Sequence, residues 1–310
     1  MKQAKITPPT QETTFAPLPR WAEPANGQTP EAMAFAAGAS LCVLHGLVTD
    51  QSGAVPVALL RNRLALLASE AALRIEGRAE TTAAIRDAVY LTRPGDGMGP
   101  AGEMYLRWRR SAALPLRSRN WINQLGETLP TPFAEALPHW MKLTEATGSP
   151  AAQAASLIGL ILEADPREEA TAMICADAVL ARGLGWSTPL PLCALYMTRA
   201  VLRDLRQPDF HLLLNRSAKA AIGMAHDLSR RAAVLRKIAP KLRSKGSDHA
   251  VALFLQEDAV SPSTMLSPVI KGTNTAMTDR SARRLCDRLV SLGAAKELTG
   301  RGSFRLYGLA

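Results

Sequence analysis

Residues 278–309 read TDRSARRLCDRLVSLGAAKELTGRGSFRLYGL. Thr278 is placed to cap a helix, Asp279 complements its dipole, and Gly293 ends it. At about 100° per residue, Ala282, Leu285, Cys286, Leu289, Leu292 and Gly293 fall on one face. Arg280, Arg283, Arg284 and Arg288 fall on the other, with Asp287. Arg280, Arg284 and Arg288 are spaced i, i+4, i+8, and like charges at that spacing repel by a few tenths of a kcal/mol. The stripe therefore calls for an external anion, or for Asp287 as an intrahelical partner. After Gly293 the pattern is strand, tight turn (TGRGS, 299–303) and strand, with Phe304, Leu306 and Tyr307 in the second strand.

Upstream, DHAVALFLQED (248–258) reads as a short amphipathic helix. PSTMLSPVI (262–270) is a second short helical candidate, interrupted by Pro268, and GTNTAMT (272–278) is a polar turn. Two helices, a turn, a basic third helix and a hairpin predict a winged helix-turn-helix over 248–310. A helix of this width fits the major groove, and arginine suits guanine edges and phosphates. The expected DNA-binding residues are Arg280, Arg283, Arg284 and Arg288 on the helix, with Arg301 and Arg305 on the wing, near phosphates or the minor groove.

Charge distribution agrees. Residues 1–215 hold 20 Lys/Arg and 20 Asp/Glu, whereas 216–310 hold 17 against 7, which is the whole net charge of +10. An excess confined to one end is the footprint of a polyanion-binding segment on a neutral body. A solvated basic surface gives the same count. An acidic membrane surface suits it less, because no Trp/Phe-rich face backs the basic residues.

The 310 residues exceed one small module, and 47% hydrophobic residues allow a large core. With only 5% aromatics and an apolar content dominated by Ala and Leu, packed helices are favoured over a β-sandwich. Cys42, Cys175, Cys193 and Cys286 are scattered, without CxxC spacing, so neither a disulfide framework nor a zinc site is expected. The first residues lack the apolar run of a signal peptide, and the longest apolar stretch considered, 154–164, is too short for a bilayer. The expectation is a cytoplasmic protein that neither spans nor binds a membrane.

Residues 1–30, rich in Pro, Thr and Gln, read as a flexible tail. Residues 31–240 read as an all-α domain of roughly nine helices, expected at 32–49, 55–76, 80–92, through Tyr105 and Trp108, and at 131–147, 150–164, 167–183, 189–206 and 209–238. The basic, Pro- and Gly-containing stretch at 241–247 reads as a linker. The fold class is thus mainly α: a multi-helix domain followed by a winged helix-turn-helix with a small β-hairpin wing.

The C-terminal stretch resembles the winged-helix domain that often follows the catalytic domain of bacterial Fic proteins. The resemblance rests on Leu289, Leu292, Gly293, Glu297, Thr299, Gly300, Arg301, Arg305 and Tyr307. The whole chain is similar to an uncharacterised bacterial family, domain of unknown function 1403, through ADAVLARGLGWSTPLPL (176–192) and LTRPGDGMGPAG (91–102). That family brings no established activity.

Fic chemistry needs a His general base followed by a Gly-Asn-Gly-Arg anion loop. None of His45, His139, His211, His226 and His249 is followed by one. RPGDGMGPAG lacks the Gly-Lys-Ser/Thr ending of a phosphate loop and reads as an interhelix loop. His211 and His226, fifteen apart, lie several turns apart on one helix and do not share a metal without further ligands. Asp177, among apolar residues, is expected to be buried in an ion pair with a residue such as Arg182 or Arg199. Trp108, Trp121, Trp140 and Trp186 read as core anchors, with Trp186 also placed to line a pocket.

No catalytic residue, metal or cofactor is expected. The leading expectation is a transcriptional regulator that reads duplex DNA, with the helical domain serving oligomerisation, as a homodimer, or sensing an unidentified small-molecule effector. The alternatives are an adaptor whose winged helix binds protein, and a diverged Fic-like nucleotide-binding enzyme.

Overall fold

The computed structural model describes residues 17–22, 29–93, 95–145, 148–242, 246–267 and 277–310. Most of the N-terminal tail, the centre of the 241–247 stretch and the segment 268–276 lie outside the described residues. The chain is mainly helical, with one small antiparallel sheet.

Ten α-helices precede residue 240 among the described residues: α1 (Pro30–Thr49), α2 (Val57–Ile75), α3 (Thr82–Tyr90), α4 (Gly99–Ala112), α5 (Trp121–Gly126), α6 (Thr131–Thr144), α7 (Pro150–Ala164), α8 (Glu169–Gly183), α9 (Arg199–Arg203) and α10 (Gln207–Ile238). Several begin as their sequences dictate. Thr29, Thr81 and Ser149 accept the backbone N–H of Ala32, Ala84 and Ala152, and Pro30 and Pro150 occupy first-turn positions that need no donor. The 32-residue α10 is the long strut, with α1 lying along it and α2 and α7 against it. α2 is central, touching α3, α4, α8 and α10, while α7 and α8 form a tight pair. α8 is buried on nearly all sides from Ala170 to Ala181.

The helix expected at 189–206 is a correction. Only Arg199–Arg203 is helical, and 184–198 runs as an irregular, largely buried segment. Pro189 and Pro191 have no N–H and disfavour helical backbone at the residues before them. The segment is held by other means: Asp177 Oδ1 accepts the N–H groups of Leu192 (3.0 Å) and Cys193 (2.9 Å), and Leu116 N–H donates to Ser187 O. Asp177 is buried as expected, but its partners are these amides. Arg182 donates to Leu116 O and Arg199 pairs with Glu169. Burial raises the Asp177 carboxyl to about 7, opposed by those hydrogen bonds. Trp108 and Trp186 are buried anchors, whereas Trp121 and Trp140 are half-buried against the core.

The 154–164 stretch is not the longest apolar element. α1 spans 20 residues at a mean hydropathy of 1.7, long and apolar enough by length and composition to cross a membrane, and a third of that window is buried. Its inner face (Ala37, Leu41, Leu44, Leu47) enters the core. The outer face, including Phe35 and Cys42, is exposed, so the helix is not buried all round.

The C-terminal segment contributes α11 (Ser247–Gln256), a single wide turn at Pro262–Leu266, α12 (Asp279–Ser291) and the strands β1 (Ala295–Glu297) and β2 (Tyr307–Leu309). β1 pairs antiparallel with β2, with Ala295 opposite Leu309, and Val260 bridges antiparallel to Tyr307 on the other side of β2. The expected hairpin is therefore modified. The loop runs from 298 to 306, so Phe304 and Leu306 precede the second strand. Gly300 and Phe304 take positive φ within this loop, which is longer than the expected turn at 299–303.

This segment packs onto the helical body. α11 lies against α2 and α10, and β2 against α10, so one apolar cluster runs from Ala37 to Leu309. Polar ties cross the same junction. Asp258, 1% exposed, pairs with Arg86 (2.5 Å) and Arg63 (3.4 Å), and both Glu257 oxygens take Arg109 at 2.6 Å. Arg63 also donates to Leu309 O.

Candidate nucleic-acid interface

α12 is built as its sequence requires. Thr278 accepts the N–H of Ser281, and Ala282, Leu285, Cys286 and Leu289 are buried. Leu292 caps the C-terminal end, and Ala294 N–H reaches Leu289 O across Gly293, whose φ is +70°. Burial of one face against β1 and the Pro262–Leu266 turn orients the other face outward.

On that outer face Arg280, Arg283, Arg284 and Arg288 are all exposed. Arg283 pairs with Asp279 at 2.6 Å. Among the described residues no carboxylate lies within 4.0 Å of Arg280, Arg284 or Arg288. At about 1.5 Å of rise per residue, the three span about 12 Å of helix. Asp287 does not neutralise this stripe. Its Oδ1 accepts the Tyr307 hydroxyl at 3.1 Å and faces Arg305 at 3.9 Å, tying α12 to β2.

The loop between β1 and β2 is organised by Glu297. Its carboxylate accepts the N–H groups of Thr299 and Gly300 and the Thr299 hydroxyl. The carboxyl is held below its usual value; partial burial works against this, and those hydrogen bonds outweigh it. Arg301 leaves the loop towards the body and pairs with Asp87 of α3 at 2.5 Å, while Arg305 Nε donates to Arg301 O. Phe304, at the loop's outer end, is 74% exposed. The structure thus brings four of the six expected arginines together on α12. It places Arg305 at the foot of the loop and commits Arg301 to a contact that no local pattern announced.

Elsewhere, no cluster of three or more His, Cys, Asp or Glu side chains with metal-holding geometry occurs among the described residues. Trp186 Nε1 donates to His45 Nδ1 at 3.1 Å, which gives that histidine a structural partner.

No curated protein matches the chain. Residues 8–309, nearly the whole length, match the model of one family, and the chain belongs to that family, described as protein of unknown function (DUF1403).

Proposed function

We propose that residues 247–310 act as a winged helix-turn-helix that binds duplex DNA, with α12 as the recognition helix and the 298–306 loop as the wing. The observation that carries this reading is the Arg280–Arg284–Arg288 stripe, exposed and, among the described residues, without a carboxylate partner on an otherwise well-packed helix. Three aligned guanidiniums repel one another, and a phosphate backbone relieves that repulsion while guanine edges offer bidentate acceptors. The order of elements supports it: helix, bridge at Val260, turn, helix, hairpin. So does the concentration of the +10 charge after residue 215. The resemblance to the winged helix that follows Fic domains points the same way.

On this reading the protein is a cytoplasmic transcriptional regulator, and α1 to α10 form the platform that holds the recognition helix and serves oligomerisation or effector sensing. No catalytic role is assigned to it. The test is gel-shift or anisotropy binding by the full-length protein carrying Arg284→Ala with Arg288→Ala. Both side chains lie outside the core, so folding is retained and DNA affinity falls by about tenfold or more. Unchanged affinity removes the recognition-helix assignment, and binding of an acidic protein in place of DNA favours the adaptor alternative.

A further inference from the structure

A cleft of about 380 Å³ opens where α2, α4 and the end of α11 meet. Its polar lining is Arg61, Asn62, Arg109, Arg110, Gln256 and Glu257. Ala58, Leu106 and Ala113 supply an apolar wall. The walls come from both parts of the molecule, and Asn62 Nδ2 donates to Gln256 O at 2.7 Å to fix them together.

The charges in this cleft do not balance. Arg109 and Glu257 neutralise each other, with the Tyr90 hydroxyl on Glu257 as well. Arg61 is half-buried, and its guanidinium donates to the neutral Thr188 hydroxyl. Desolvation lowers its pKa, as expected of a half-buried cation with no anion beside it among the described residues. Arg110 is exposed at the same cleft. Among the described residues no carboxylate lies within 4.0 Å of either arginine. The half-buried Arg61 guanidinium is costly without a counter-ion, and together with the exposed Arg110 at the same cleft it supplies the forks that bind oxyanions.

We propose that this cleft binds a small organic dianion, a phosphate monoester or a dicarboxylate, with Arg61 and Arg110 holding the charge and Ala58 and Leu106 the carbon skeleton. The volume lies at the small end of the range for ligand sites, so the ligand is of metabolite size rather than a dinucleotide. Because Gln256 and Glu257 end the first helix of the C-terminal segment, the bound ligand bridges that segment to the body. The ligand site stands independently of DNA binding. Its use as an effector site rests on the DNA-binding reading.

The test uses full-length protein with glycerol 3-phosphate, succinate and, as the neutral control, glycerol, read by thermal shift and calorimetry. At least one anion raises Tm and glycerol does not; which anion does so identifies the oxyanion. Arg61→Gln and Arg110→Gln each weaken that binding by about tenfold, the loss expected for a charge-assisted contact. Arg110 is exposed, so its variant reports on binding even where Arg61→Gln disturbs folding. The Arg284→Ala, Arg288→Ala protein keeps the shift. No shift from either anion, or an equal shift in the Arg110→Gln protein, overturns the proposal. DNA binding by the same variants is measured separately, so either reading can fail alone.

Discussion

The carboxylate of Asp258 lies 2.5 Å from Nε of Arg86, although the two residues are 172 positions apart and Asp258 is 1% exposed. Arg63 approaches the same carboxylate, so one buried acid joins α2 and α3 to the strand-forming end of the C-terminal segment. Asp258→Asn keeps the shape but leaves two largely buried guanidiniums facing a neutral group. Removing one partner of a buried pair costs about 3–5 kcal/mol. Urea unfolding of the variant should show that loss.

Asp177 gives a pH signature. Its folded pKa of about 7 lies above the ordinary value of 3.8, so the folded state holds a proton that the unfolded state has released. Between those values the native state binds more protons, and stability falls as pH rises from about 4 to about 7. Asp177→Asn keeps a carbonyl acceptor for Leu192 and Cys193 and removes the titration. Urea midpoints measured from pH 4.5 to 7.5 should decline less steeply in the variant than in the wild type.

Close approach of α7 and α8 depends on Gly183. A Cβ there would meet Pro150 Cβ at 2.7 Å and Cγ at 2.8 Å, and the proline ring has no rotamer with which to withdraw. Gly183→Ala should therefore destabilise the fold by about 1–3 kcal/mol, the usual cost of overpacking, despite alanine's better helix propensity. Thermal unfolding checks it; a stabilised variant would mean the helices separate freely.

The Arg301–Asp87 contact holds the 298–306 loop against α3. Arg301 is exposed and Asp87 partly so, and an ion pair open to water contributes little, so Asp87→Asn should change stability by less than about 1 kcal/mol. It should nonetheless tighten DNA binding at low salt, because Arg301 is then free to meet a phosphate. Weaker binding would mean instead that the docked position of the 298–306 loop is the productive one.

Much of α12 was legible in the sequence because its determinants are local: Thr278, the apolar spacing of Leu285 and Leu289, and Gly293. The same holds for α7, where Ser149 and Pro150 mark the start and the periodicity runs unbroken to Ala164. Within the irregular stretch 184–198, residues 189–198 were misread as helix because their apolar content is that of a core helix. Its amides are satisfied by Asp177, a residue on another element. The pairs of Asp258 with Arg63 and Arg86, of Glu257 with Arg109, and of Arg301 with Asp87 join residues at least 148 positions apart. No local pattern encodes such pairs, so the cleft that Arg109 and Glu257 line could not be anticipated either.

The central claim is tested most directly by anisotropy titration of the full-length protein with random-sequence duplex DNA at two salt concentrations. Three arginines of α12 without ionic partners among the described residues set a log–log slope of roughly −3 or steeper, at about 0.9 per phosphate neutralised. Micromolar binding with that slope, flattened by Arg284→Ala with Arg288→Ala, is the predicted result. Absence of binding at low salt, or binding indifferent to salt and to those substitutions, would contradict it.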